Sequence, residues 1–191
     1  MNTTLLEGRL VRLATSEPAE LGAAFARWER DSEYHRLLDN DPSHLWSARQ
    51  YQAWQEQDQA SESLTQFTFS IRTLAEDRLI GFIGMGGFEW NHRASWVGIG
   101  LGERQDWGKG YGTDAMQIML RYAFQELNLF RVTLGVFSYN PRAIRSYEKA
   151  GFTIEGRVRQ IVAREGQYWD EVVMGILRPE WEARCNENNS P

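Results

Sequence analysis

The sequence is poor in the residues that build disulfides, metal sites and linkers. Its 191 residues include one cysteine, Cys185, three histidines and five prolines. One cysteine excludes an intramolecular disulfide framework and a CxxC metal site. His35, His44 and His92 have no metal-ligand spacing, so no metal is expected and each reads as a surface or loop histidine. Apolar runs are short, which excludes a transmembrane helix and a membrane partner. Met1 to Leu6 lacks a basic segment leading into a long apolar one, so a secretory signal is not expected. A reducing, cytoplasmic setting is the default. Lysine is nearly absent, at Lys109 and Lys149 only, and 21 basic against 26 acidic residues leave a net charge of −5. A sequence-independent nucleic-acid binder is normally basic, so no nucleic-acid partner is expected. An acidic chain is more compatible with a cationic substrate.

What is present suits one folded domain. Hydrophobic residues make up 42% and charged residues 25%, enough to bury a core and too apolar for disorder. No internal repeat and no Pro- or Ser-rich linker divides the chain. Arg9 to Leu13 reads as a short strand. Ser16 reads as a cap for a helix carrying Leu21, Phe25 and Trp28 on one face. Ser47 with Gln50 resembles a capping box for a helix with Tyr51 and Trp54, and Asp39-Asn40-Asp41-Pro42 reads as a loop.

From Gln66 the period changes to two. Gln66 to Thr73, Arg78 to Phe88 and Ser95 to Gly102 read as strands, with a turn at Asn91-His92. A helix follows with Met116, Leu120, Ala123 and Leu127 at helical spacing. Arg131 to Phe137 reads as a strand and Pro141 to Ala150 as a helix stopped at Gly151-Phe152. Phe152 to Val162 and Tyr168 to Leu177 read as a hairpin around Glu165-Gly166. The pattern predicts an α+β fold with a mostly antiparallel sheet.

Chemistry concentrates in Gln105-Asp106-Trp107-Gly108-Lys109-Gly110-Tyr111-Gly112-Thr113, between a strand and a helix. Glycines let the backbone turn tightly and approach a ligand, and the first helical amides with the helix dipole attract phosphate. Taken alone, the segment reads equally well as a tight turn with helix-packing glycines. A Walker A loop is excluded because Gly110, not Ser or Thr, follows Lys109. A dinucleotide fingerprint fits poorly, since the loop follows a meander and the next strand ends Val136-Phe137-Ser138 without a carboxylate.

Gln105-x-x-Gly108-x-Gly110 before a helix resembles the coenzyme A loop of the Gcn5-related N-acetyltransferases (GNAT). Asn140-Pro141-Arg142-Ala143-Ile144-Arg145-Ser146-Tyr147-Glu148-Lys149-Ala150-Gly151-Phe152 matches that family's second signature, Asn-x-x-Ala-x-x-x-Tyr-x-x-x-Gly-Phe. The two stand in the right order and separation. Within the family the chain looks like the branch of ribosomal-protein N-terminal acetyltransferases and bacterial spermidine acetyltransferases, whose closing hairpin Gly166 to Leu177 resembles. The resemblance implies a mixed, mostly antiparallel twisted sheet, flanked by helices and splayed between the strands at Ser95 to Gly102 and Arg131 to Phe137. It implies one acetyltransferase domain over 1–181 with a polar, frayed tail over 182–191.

It also implies acetyl-CoA as co-substrate and an amine acceptor, either a small polyamine-like molecule or a protein N-terminus. Ile99, Gly100 and Leu101 would pair with the pantetheine arm, and Gln105, Asp106, Trp107, Gly108, Lys109, Gly110, Tyr111, Gly112 and Thr113 would hold the pyrophosphate. Asn140 would hydrogen-bond the pantetheine, and Tyr147 would protonate the departing thiolate. A helix N-cap at Asn140 and a core aromatic at Tyr147 are the structural alternatives. Relatives in this branch often carry a glutamate where this chain has Trp96. A tryptophan cannot accept a proton, so a CoA-binding module without catalysis is the rival reading. Trp96 and Glu89 are the acceptor-site candidates, with Glu103 a further nearby carboxylate. Deprotonation without any single carboxylate is the favoured route. Trp28, Trp46, Trp54 and Trp90 are candidates to line the acceptor cleft, with core packing the expected role for most, and the sequence is compatible with a homodimer.

Overall fold

Residues 4–15, 17–59 and 65–189 are described by the computed structural model. The expected cap at Ser16 and the last two tail residues lie outside them. Among the described residues, seven strands form one sheet in the order β1-β2-β3-β4-β5-β7-β6. They are β1 (Val11–Ala14), β2 (Gln66–Thr73), β3 (Leu79–Glu89), β4 (Ala94–Leu101), β5 (Arg131–Phe137), β6 (Thr153–Arg164) and β7 (Gln167–Leu177). Every neighbouring pair is antiparallel except β4 and β5.

Helices cover both faces. α4 (Tyr111–Gln125), α5 (Pro141–Ala150) and α6 (Arg178–Asn189) associate with the larger core; α1 (Pro18–Trp28), α2 (Ser32–Leu38) and α3 (Ala48–Gln59) build a smaller one. Strand alternation sorts the residues between them. Ile83 and Met85 of β3 are buried with Met116, Met119, Leu120 and Phe124 of α4, whereas Phe82 turns to Leu21, Phe25 and Trp28. Leu127 falls just beyond α4, where its amide still donates to Tyr122 O at 3.1 Å.

The local signals are realised in hydrogen bonds. Gln50 N–H donates to Ser47 Oγ at 3.4 Å, and Ser47 N–H donates to Gln50 Oε1 at 3.0 Å, the reciprocal pattern of a capping box. Pro141 opens α5 behind Asn140, and Gly151 ends it at φ 114°.

Three expectations change. α2 is a helix where only a loop was expected nearby, capped by Asp31, whose side chain accepts from Glu33 N–H at 3.0 Å. His35 on that helix is buried and bridges Glu29 Oε2 and Asp41 O at 2.8 Å each, so it is not a surface histidine. The stretch expected as a frayed tail continues α6 as far as Asn189. That helix is anchored by Trp181 against Phe124 and by the Arg178–Glu182 pair. Among the described residues no helix is long and apolar enough to cross a membrane.

Candidate active site

The parallel ladder of β4 and β5 is three residues long. Ala94, Ser95 and Trp96 pair with Arg131, Val132 and Thr133, and there the strands part. From Val97 to Leu101 the β4 edge facing β5 has no strand partner, while its other edge stays paired to β3. A sheet interior with an unpaired edge needs other hydrogen-bond partners, so an opened strand is a binding edge. The gap holds a cleft of about 500 Å³, bounded by Val97 to Leu101, Gly135 to Phe137, residues of α5, and Tyr34, Leu37 and Leu38 of α2.

The glycine segment lies at the mouth. After β4 a single 3-10 turn, Arg104–Asp106, leads into Trp107 and the start of α4. Gly108 and Gly110 have φ of 75° and 89°, a left-handed backbone that costs glycine little and other residues more. Gly110 is the N-cap of α4, and among the described residues no side chain caps that end. The first amides of a 15-residue helix, with its positive dipole end, therefore face the cleft mouth. Trp107 Nε1–H donates to Leu101 O at 2.8 Å, and Arg142 of α5 stacks 4.0 Å from the centre of the Trp107 ring. Thr113 and Ser146 hydroxyls join α4 to α5 at 2.7 Å.

α5 contributes the far wall. Asn140 is buried, and its Oδ1 accepts from Ala143 N–H at 3.1 Å, so it is the helix cap. The same side chain lines the cleft, which leaves its Nδ2 for a ligand. Tyr147, seven residues on, is packed edge-on to Phe152 and also lines the cleft. Burial pushes its hydroxyl up to about 12. It therefore remains a proton donor throughout the working pH range.

Most of the residues expected at the site meet there. Ile99, Gly100, Leu101, Asp106, Trp107, Gly108, Gly110, Tyr111, Gly112, Thr113, Asn140 and Tyr147 all line the cleft. Gln105 and Lys109 do not line it; both are exposed in the loop. Asp106 is fully buried and bound by Arg78, so its carboxylate braces the loop. Trp96 is half exposed and lines a smaller hollow that shares Leu38, Val97, Gly98 and Ile99 with the cleft.

Glu89 is not in the cleft. It pairs with Ala94, at the end of β4 where β4 and β5 are still joined, and the opening is at the other end. Glu103 lies past the cleft and pairs with Arg27 at 2.7 Å. Trp28 is a core residue, and Trp46, Trp54 and Trp90 are exposed outside the cleft. The sequence reading passed over two sets of lining residues. Arg142, Arg145 and Lys149 are spaced three and four apart, which puts them on one face of α5. Glu171 alternates with buried Val172, Met174 and Ile176, which puts it on the open face of β7.

Known proteins agree with this geometry. The family model for the acetyltransferase (GNAT) domain matches residues 10–153. "Probable N-acetyltransferase YjcK" of Bacillus subtilis (strain 168) is 36% identical over 118 residues, 60% of this chain and 64% of that protein. The chain thus spans under two thirds of that relative's length. The spermidine N(1)-acetyltransferase of Vibrio cholerae serotype O1 is 27% identical over 151 residues, 77% of this chain and 87% of that protein. The fold superposes on a crystal structure of a GNAT-family acetyltransferase from Bacillus anthracis with a TM-score of 0.74 at 20% identity, covering 90% of this chain and 97% of that one. It also superposes on Vibrio cholerae spermidine N-acetyltransferase in complex with CoA and spermine, with a TM-score of 0.69 at 21% identity, covering 90% and 98%. From the opened β4–β5 pair to the helix-start loop and the extent of the family match, the chain belongs to the GNAT acetyltransferase family.

Proposed function

We propose that the protein is an acetyl-CoA-dependent N-acetyltransferase acting on a primary amine. The observation that carries this reading is the end of the β4–β5 ladder at Trp96, with the glycine loop at the mouth of the gap and Tyr147 on its wall. Each part of the cleft suits one part of acetyl-CoA. The uncapped amides of α4 suit a pyrophosphate, and Arg142, Arg145 and Lys149 add positive charge beside them. The free edge of β4 and Asn140 Nδ2 suit the amides of the pantetheine arm.

Bound there, acetyl-CoA supplies a thioester carbonyl for attack by the amine. The chain's own groups do the rest. A backbone N–H on the free edge near Ile99 is the candidate donor to the developing oxyanion. Tyr147 gives a proton to the leaving sulfur, a role its raised pKa allows at every working pH. Nothing calls for a covalent enzyme intermediate. Relatives named as spermidine acetyltransferases support a polyamine-like acceptor, and a relative named as a ribosomal N-acetyltransferase keeps a protein N-terminus in view.

The test is a thermal shift with acetyl-CoA and a free-thiol release assay over amines and peptides. Ligand at 100 times its Kd stabilises a protein by about 2.7 kcal/mol. Gly110→Asp puts a carboxylate among the α4 amides and is expected to abolish the shift. Wild type without any shift would overturn the reading, and binding without turnover would favour a CoA-binding module.

A further inference from the structure

The cleft contains a carboxylate with no partner among the described residues. Glu171 of β7 lines the gap, and among the described residues its carboxylate makes no hydrogen bond or ion pair. Its cross-strand neighbours, Phe137 on β5 and Val158 on β6, are apolar. Its side chain lies over Gly135 of β5, where a methyl group would overlap Glu171 Oε1. Gly135 is thus the residue that leaves room for the Glu171 carboxylate over β5, in the wall of the cleft.

A second carboxylate on this sheet shows what is unusual. Glu155 of β6 lies over Gly175 in the same way, but it is held by Arg131. Asp106, the other acidic residue on the cleft wall, is held by Arg78. The remaining ionisable groups on the wall are Arg142, Arg145, Tyr147 and Lys149 of α5, Tyr34 of α2 and Tyr111 of α4, none paired with Glu171. A partly buried carboxylate without a cation is costly unless a ligand supplies one.

We infer that Glu171 is the catalytic carboxylate that receives the acceptor's ammonium group and takes its proton. This rests on the acetyltransferase reading above. An ammonium has no lone pair and cannot attack. One N–H bond breaks, its electron pair stays on nitrogen for the attack, and an O–H bond forms on Glu171. The proton then leaves to water at the open side of the cleft.

The test compares wild type, Glu171→Gln and Gly135→Ala. The probes are spermidine, n-butylamine and the tripeptide Ser-Ala-Ala, assayed by thiol release and by calorimetric binding to the CoA-loaded protein. For the best probe, Glu171→Gln is expected to lose about 10-fold or more in kcat/KM and to bind the amine more weakly, with acetyl-CoA affinity unchanged. Gly135→Ala displaces the carboxylate while keeping its charge, and is expected to move the same readouts in the same direction. It decides the matter alone if Glu171→Gln does not fold. Activity and amine binding kept within about 10-fold, with acetyl-CoA bound normally, would overturn the assignment of Glu171 and leave the enzyme reading intact. Wild type that binds acetyl-CoA but none of the three amines would overturn it too. Wild type that binds no acetyl-CoA would overturn the enzyme reading and this inference with it.

Discussion

Arg78, one residue before β3, holds the carboxylate of Asp106 with both terminal nitrogens, Nη1 at 2.8 Å from Oδ2 and Nη2 at 2.6 Å from Oδ1. Asp106 is 0% exposed, although it ends the turn that leads into the glycine loop. The cation thus fixes the loop from beneath without touching the cleft. Arg78→Met leaves a buried carboxylate unpaired, which costs about 1–3 kcal/mol or more for a charged group. Arg78 is itself partly exposed, so water limits the loss. Urea unfolding is expected to show a loss of about 1–3 kcal/mol, and acetyl-CoA affinity to fall as the loop loosens. Unchanged stability would mean that the loop is held by its backbone alone.

Tyr147 offers a cleaner separation of binding from chemistry. Its ring packs on Phe152 and its hydroxyl forms no hydrogen bond among the described residues, so Tyr147→Phe keeps the packing. The expected result is a kcat lower by about 10²-fold or more with acetyl-CoA affinity nearly unchanged. Because burial raises the hydroxyl to about 12, wild-type activity should not decline below pH 11 through ionisation of this group. A kcat unaltered in Tyr147→Phe, with chemistry shown to be rate-limiting, would leave Tyr147 a packing residue.

What the sequence revealed was what neighbouring residues decide. Asn140, Pro141 and Gly151 set the limits of α5, and the reading matched the helix end to end. Ser47 and Gln50 marked the start of α3 in the same way, though not its end. What it hid depends on register between distant segments. Asp114 accepts from the amides of Arg9, Leu10 and Val11, more than 100 residues away, and nothing near Asp114 announces it. Glu89 looked close to the site because it is near β4 in the chain, but strand direction carries it to the closed end. Glu171 acquires its place only once β5 and β7 pair and Gly135 leaves room. α2 is seven residues long with a weak apolar pattern, too short for periodicity to reveal.

Asp31 links α2 to the loop after β4. It caps α2 and accepts from Arg104 Nε and Nη2 at 2.5 and 2.6 Å. The Arg104 guanidinium holds the Asp31 carboxyl down at about 2. An unfolded aspartate titrates near about 3.9, so the folded value is the lower one. The pair therefore stabilises fully above the unfolded value and loses its effect as pH falls through about 2. Asp31→Asn is expected to lower Tm by a constant margin from neutral pH to just above 4, a margin that closes between about 4 and 2. The margin should be small, since Arg104 is largely solvated. A margin that persists below pH 2 would show that the loss does not come from the charge of Asp31, since asparagine caps a helix about as well.

Trp96 is the last residue of β4 paired to β5, and it is 49% exposed beside the opening. With no proton acceptor, it can offer an acceptor only apolar area and an aromatic face. A cation held on that face is stabilised by about 0.5–2 kcal/mol. The same contact opposes deprotonation, so it cannot serve the nitrogen that must attack. In a polyamine the two tasks fall to different nitrogens, one losing its proton at Glu171 and another staying charged over Trp96. Trp96→Ala is then expected to raise KM for spermidine about 2- to 30-fold, the same energy expressed as a ratio, with kcat kept. For n-butylamine, which has one nitrogen, the change should be smaller. Trp96→Glu should give no steep rise in activity at neutral pH, because a proton acceptor already stands across the gap on β7. A steep rise would show that β4 lacked the catalytic base and that Glu171 does not supply it.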